Sequence, residues 1–256
     1  DGVNVRVMSS ASQSSTMLPM VSLDDSVSTI TILDTPLDID EKLNFLASLG
    51  RLTVTLDYFG NALPDINIAV FAHKVVRAKH YACVGFEYIL IRDEISNMRA
   101  RACLGRTDRV MIMVGGGDVL SQGPRAAEVL VRAGCRVTLI QGPYTVSSKR
   151  CPDYEVCTNP SNLPEIFAAC DWAVTSGGGS LFEGLCLGKA VHVLPQTDAE
   201  ERVARHVYSK GGVLGVGLES LRAYNLNEIA NKASNGFHLV DGFGAQRVSK
   251  IVRSWL

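Results

Sequence analysis

From Val110 to the C-terminus the sequence repeats one pattern five times: a short β-branched or apolar run, a glycine- or proline-marked loop, then a helical stretch. Strands that alternate with helices are joined by crossovers, and a crossover returns the chain so that the next strand lies parallel to the last. The runs are Val110–Val114, Arg136–Ile140, Tyr154–Cys157, Trp172–Thr175 and Ala190–Pro195. Helices are expected over Pro124–Ala133, after a cap at Ser161 or Asn162, from the turn Ser176–Gly179 onward, over Ala199–Lys210, near Leu226–Ser234 and over Gly244–Leu256. The pattern predicts an α/β fold with a doubly wound parallel sheet.

The N-terminal part carries the same signals less regularly. Strands are expected at Val3–Met8, Thr29–Leu33 and Leu52–Asp57, with a helix over Ile39–Leu49 ending at Gly50 and apolar pieces INIAVF and YACVGF beyond. At 256 residues the chain suits two modest domains, at roughly 100–200 residues each. The polar shift at Ala100–Arg109 places the boundary: residues 1–104 form one Rossmann-like domain and 105–256 the other.

Charge and composition narrow the classes of partner. A formal net charge of −1 lacks the basic excess that nucleic acid or an anionic membrane surface calls for. No apolar run reaches the ~18–20 residues of a membrane span. The seven cysteines form no C-x-x-C pair and most sit in apolar segments, so a reduced, cytoplasmic protein is expected. The five histidines lack metal-ligand spacing, and neither metal nor cofactor is expected.

The chemistry concentrates in SGGGSLFEGLCLGK, Ser176–Lys189. Three glycines where a strand meets a helix leave backbone N–H groups free to receive an anion and let it approach closely. Dinucleotide G-x-G-x-x-G and hydrolase G-x-S-x-G patterns both fail at Phe182, and no GK[ST] ending makes a P-loop. Glu183 is the single acid on an otherwise apolar helix. Ser180 and Glu183 match the capping box S-x-x-E; alternatively, the carboxylate accepts the two neighbouring hydroxyls of a ribose.

The stretch Ala173–Ala204 resembles the nucleotide-binding signature of GT-B proteins. It is similar in particular to the UDP-sugar hydrolase of pseudaminic acid biosynthesis and its spore-coat-polysaccharide relatives, and more distantly to the N-acetylglucosaminyl transferase of peptidoglycan synthesis. VTLDYFG, EYILIRDEI, MIMVGGGDV and LIQGP resemble further segments of the hydrolase group in the same order, over roughly Leu52–Gly215. The resemblance implies two Rossmann-like domains in GT-B arrangement, the terminal helix packing back toward the first. It implies that Gly178, Gly179 and Ser180 receive the diphosphate of a UDP-sugar and Glu183 its ribose. Gln141, Gly142 and Pro143 would lie near the base, and Gly116 and Gly117 would flank the cleft, unless the latter merely form a tight turn. Gln196 and Thr197 would reach the sugar or phosphates. Glu200 and Glu201 are either ligands or acids complementing a helix dipole.

Asp57, at a strand end, is either a catalytic or positioning group in the cleft or a solvated terminus. Tyr58 follows it directly, where the family has its tyrosine two places on. The family also opens with a strand and a Gly-x-Gly-His motif whose histidine would activate water, and no histidine here stands in such a motif. The expectation is a first domain lacking that βα unit, or a protein that has lost that chemistry. The leading expectation is a UDP-sugar hydrolase releasing an amino-deoxy sugar for a surface glycan. A GT-B glycosyltransferase with the same donor and a non-catalytic nucleotide-sugar module, fused to or working beside a pathway enzyme, are the alternatives.

Overall fold

The computed structural model describes residues 30–34, 39–99, 106–118, 120–143 and 152–255. The expected strand at Val3–Met8, residues 100–105 of the expected boundary, Cys103 and Cys151 lie outside them. Two parallel sheets organise the rest.

The first sheet holds β1 (Ile30–Asp34), β2 (Leu52–Leu56), β3 (Ile66–Ala69) and β4 (Tyr81–Val84) in that order, all parallel. Helix α1 (Asp40–Ser48) joins β1 to β2 and buries Leu43 and Leu46. Thr53 and Asp65 pin the loop before β3: the Thr53 backbone N–H and hydroxyl both donate to one carboxylate oxygen at 2.8 Å.

The second sheet contains β5 (Arg109–Met113), β6 (Arg136–Gln141), β7 (Glu155–Thr158), β8 (Trp172–Thr175), β9 (Ala190–Val193) and β10 (Gly215–Val216). Their spatial order is β10-β9-β8-β5-β6-β7, so the direction of winding reverses between β5 and β8. Alternation of side chains along the strands separates two cores. On one face Met111, Met113, Ala173, Val191 and Val193 pack beneath α5 (Gly179–Cys186), α6 (Asp198–Ser209) and Phe167 of α4 (Leu163–Ala169). On the other, Val110, Ile112, Trp172 and Val174 meet α3 (Gln122–Arg132) and α7 (Leu226–Leu239). Helices on both faces make this sheet doubly wound, as the alternating pattern requires.

Helix α7 runs past the expected end at Ser234, through Asn235 and Gly236. The pair reads as a stop signal, yet a Cβ on Gly236 would stand 2.6 Å from Leu185 Cδ2. The glycine is what lets α7 lie close on α5. Lys189, fully buried, donates through Nζ to the Ala168 and Cys170 carbonyls at 2.7 Å each. A cation there meets the carbonyls that the end of α4 leaves unpaired.

Two segments tie the sheets together. Residues 86–99, including α2 (Asp93–Ser96), insert Ile91 and Ile95 into the second sheet's core, ahead of the boundary expected from sequence. The terminal helix α8 (Gly244–Arg253) places Val248 and Val252 against Val54, Ile66 and Ile68 of the first sheet. No described helix is long and apolar enough to cross a membrane.

Candidate functional site

Where winding reverses, the loops leaving β5 and β8 turn to opposite faces and open a crevice at the carboxyl ends of the strands. A cavity of about 420 Å³ occupies that place, within the roughly 300–1,000 Å³ usual for small-molecule sites. Its lining includes four strand ends: Gly115 and Gly116 after β5, Gln141–Pro143 at the end of β6, Asn159 and Pro160 after β7, and Ser176 and Gly178–Ser180 after β8. Gly115 has φ +82°, a conformation glycine adopts without a steric penalty. Gly142 is small because it must be: a Cβ there would stand 2.5 Å from the Gly116 carbonyl oxygen. The two loops are therefore in direct backbone contact along one wall.

Helix α5 begins at Gly179, with Gly178 as its N-cap and no side-chain cap. By helix geometry the N–H groups of Gly179 and Ser180 have no intrahelical partner, and the dipole adds partial positive charge at the same point. The Ser180–Glu183 capping box does not form. The helix starts two residues earlier than that motif requires, with Gly178 rather than Ser180 as the N-cap, which puts Ser180 inside the first turn.

Glu183 instead turns to Arg92. The guanidinium donates from Nε to Oε1 at 2.7 Å and from Nη2 to Oε2 at 3.1 Å, a two-pronged ion pair. The Glu183 side chain is 13% exposed and that of Arg92 48%. Both residues line the cavity, so the carboxylate is oriented by Arg92 and within reach of a ligand.

Glu200 closes the opposite side. Its Oε2 accepts from the Gln196 backbone N–H at 2.7 Å, and its Oε1 lies 3.4 Å from where a Gly178 Cβ would be. Gly177 packs directly on the Glu200 backbone. The sequence alone does not separate Glu200 from Glu201, but the structure does. Glu201 points along the surface of α6 and pairs with Arg205 Nε at 2.8 Å, outside the cavity lining.

Other expected residues also fall outside that lining. Thr197 is the N-cap of α6, its hydroxyl accepting from Glu200 N–H at 3.2 Å. Gln196 is held by its side chain, which accepts from Leu120 N–H at 3.3 Å. Gly117 precedes Asp118, whose carboxylate accepts from the N–H groups of Gln122 and Gly123 and so caps α3. Asp57 follows β2 with φ 50° and accepts from Val70 N–H at 2.7 Å. Desolvation of its carboxylate raises its pKa more than that bond lowers it. Its oxygen is thus engaged in a loop of the first sheet, away from the cavity wall.

Sequence reasoning missed Arg92, Ser176 and Asn159 as lining residues. Arg92 stands inside EYILIRDEI, where a single cation after an apolar run is only a weak signal. No histidine lines the cavity among the described residues. His192 is fully buried between Tyr224 Oη at 2.8 Å and the Gly217 carbonyl at 2.9 Å, and burial lowers its pKa to about 4. Among the described residues no group of three or more acids, histidines and cysteines is placed to hold a metal ion.

No protein-family model matches the chain. It is similar to the spore coat polysaccharide biosynthesis protein SpsG of Bacillus subtilis, 23% identical over an alignment of 193 residues that covers 66% of this chain and 57% of that protein. The match therefore spans little more than half the curated relative's length. Among solved structures, MurG of Acinetobacter baumannii superposes with a TM-score of 0.61 at 9% identity, covering 88% of this chain and 73% of that one. The glycotransferase of kitacinnamycin gives 0.58 at 13% identity, with coverage of 88% and 75%. The chain has the GT-B-like α/β fold of these proteins.

Proposed function

We propose that this cavity binds a nucleoside diphosphate sugar, a UDP-sugar, and that the protein serves sugar transfer in the making of a polysaccharide. The observation that carries this reading is the glycine-rich start of α5 with Glu183 one turn along it, facing Gln141–Pro143 across the switch-point cavity. The uncapped N–H groups of Gly179 and Ser180 suit the diphosphate. Glu183, four residues on, suits two vicinal ribose hydroxyls, and the backbone of Gln141–Pro143 offers an edge for the base. Glu200, beside Gly178, offers a carboxylate oxygen to hydroxyls of the sugar.

The chemistry follows from where charge develops. As the bond between the anomeric carbon and the diphosphate breaks, negative charge grows on the leaving phosphate. A fixed helix N-terminus stabilises that charge more than it stabilises the bound donor. Fold likeness to transferases and similarity to a polysaccharide biosynthesis protein support transfer over hydrolysis as the leading reading.

Calorimetric titration with UDP, UMP and ADP tests the binding step. UDP should bind more tightly than UMP, because the β-phosphate reaches the helix start, and more tightly than ADP. UDP release from UDP-sugars, followed with and without a glycan acceptor, separates the chemistries. Release only with acceptor supports transfer, release in buffer alone supports hydrolysis, and binding without release marks a non-catalytic module. A well-folded protein that binds none of the three nucleotides would overturn the reading.

A further inference from the structure

We infer that Arg92 is a positioning residue that makes this site select ribonucleotides over deoxyribonucleotides, by holding both oxygens of Glu183 in place. This rests on the nucleotide reading above and names a specificity determinant outside the glycine-rich turn.

The geometry is that of a planar fork on a planar acceptor, one N–H to each oxygen. Such a pair fixes the plane of the carboxylate as well as its position. Each oxygen uses one lone pair on the guanidinium and keeps another for a second donor. Two adjacent ribose hydroxyls present two donors at one edge, which matches what the forked carboxylate has left. A glutamate without the fork would sample several rotamers and meet the two hydroxyls together less often.

The arginine is itself held. Its neighbours Ile91 and Ile95 are buried in the core beneath α5, at 5% and 0% exposure. The segment bearing Arg92 is thus part of the same packed body as the helix bearing Glu183. Helix α5, GSLFEGLC, contains no basic residue that could take the place of Arg92.

The test compares UDP with 2′-deoxy-UDP by calorimetry for wild type, Arg92→Lys and Arg92→Met, with thermal unfolding as a check on folding. Wild type should prefer UDP by about tenfold or more, the value of one charge-assisted hydroxyl bond. Arg92→Met should lower that preference about fivefold or more, because UDP loses two oriented hydroxyl bonds and 2′-deoxy-UDP only the one to its 3′-hydroxyl. Arg92→Lys keeps a charge but not the fork, and should fall between; it also serves if the methionine variant fails to fold. Equal weakening of both ligands would show that Arg92 acts on the phosphates or on the fold, and would overturn the inference alone. An unchanged preference in both variants would do the same. A wild type that binds neither ligand would instead remove the nucleotide reading beneath it.

Discussion

Replacing Glu183 with glutamine changes one charge and almost no volume, so its effects on binding and on stability can be worked out separately. In the free protein the substitution removes an ion pair with bonds of 2.7 and 3.1 Å. Arg92 is half exposed and the glutamate 13% exposed, which places the pair between surface pairs, at about 0–1 kcal/mol, and buried ones, at about 3–5 kcal/mol when one partner is lost. Solvent around Arg92 pulls the figure down, to roughly 1 kcal/mol. In the complex the loss is larger. A hydroxyl bound to a carboxylate contributes about 1.5–3 kcal/mol and to a neutral amide about 0.5–1.5. Two hydroxyls therefore lose roughly 2 kcal/mol, or about 30-fold in the UDP dissociation constant. Urea unfolding and calorimetric titration on the same preparation give both numbers. An affinity for UDP within about threefold of wild type, together with a measurable loss of stability, would show that Glu183 is a structural partner of Arg92 and no ligand of the ribose.

Three further outcomes are expected. Alanine at Gly142 drives a methyl group into the Gly116 backbone at 2.5 Å; it should cost about 1–3 kcal/mol of stability and weaken nucleotide binding, as read by thermal unfolding and titration. Alanine at Glu201 removes an exposed pair with Arg205 and should cost no more than about 0.5 kcal/mol, with UDP affinity unchanged in calorimetry. His192 gives the pH dependence: burial lowers its pKa from 6.5 to about 4, so between those values the unfolded chain binds a proton that the folded chain refuses. Stability is complete above pH 6.5 and falls as pH drops toward 4. The loss from this group between pH 7 and pH 5 is about 2 kcal/mol, and urea unfolding of His192→Gln should lack that share of the slope.

How much of this was legible in the sequence can be read from particular residues. Strand and helix periods are local properties, and the strands at Arg109–Met113, Arg136–Gln141, Glu155–Thr158, Trp172–Thr175 and Ala190–Val193 lie within two residues of where the sequence places them. The glycine-rich turn after β8 was equally local: three glycines between a β-branched run and an apolar helix leave few other conformations. Most of the expected cavity wall, Gly116, Gln141–Pro143, Gly178–Ser180 and Glu183, follows from such strand ends in a parallel sheet. The capping box at Ser180 was legible and wrong, because a motif of four residues does not specify where the helix begins.

What the tertiary structure decided is which side chains meet. Glu200 and Glu201 are chemically the same and adjacent, but successive residues on a helix point about 100° apart; the packing of α6 on its sheet turns Glu200 to the cavity and Glu201 to Arg205. Asp57, Gln196 and Thr197 were drawn off into backbone and loop hydrogen bonds that no period reveals. Arg92 reaches Glu183 across a sequence separation of 91 residues, through a segment that crosses from the first sheet to the core of the second. The sequence determined the elements and the glycine turn, since those depend on neighbours along the chain. The charge that holds the turn's one acid came from the fold, since a pairing energy depends on distance in space and only packing sets that distance.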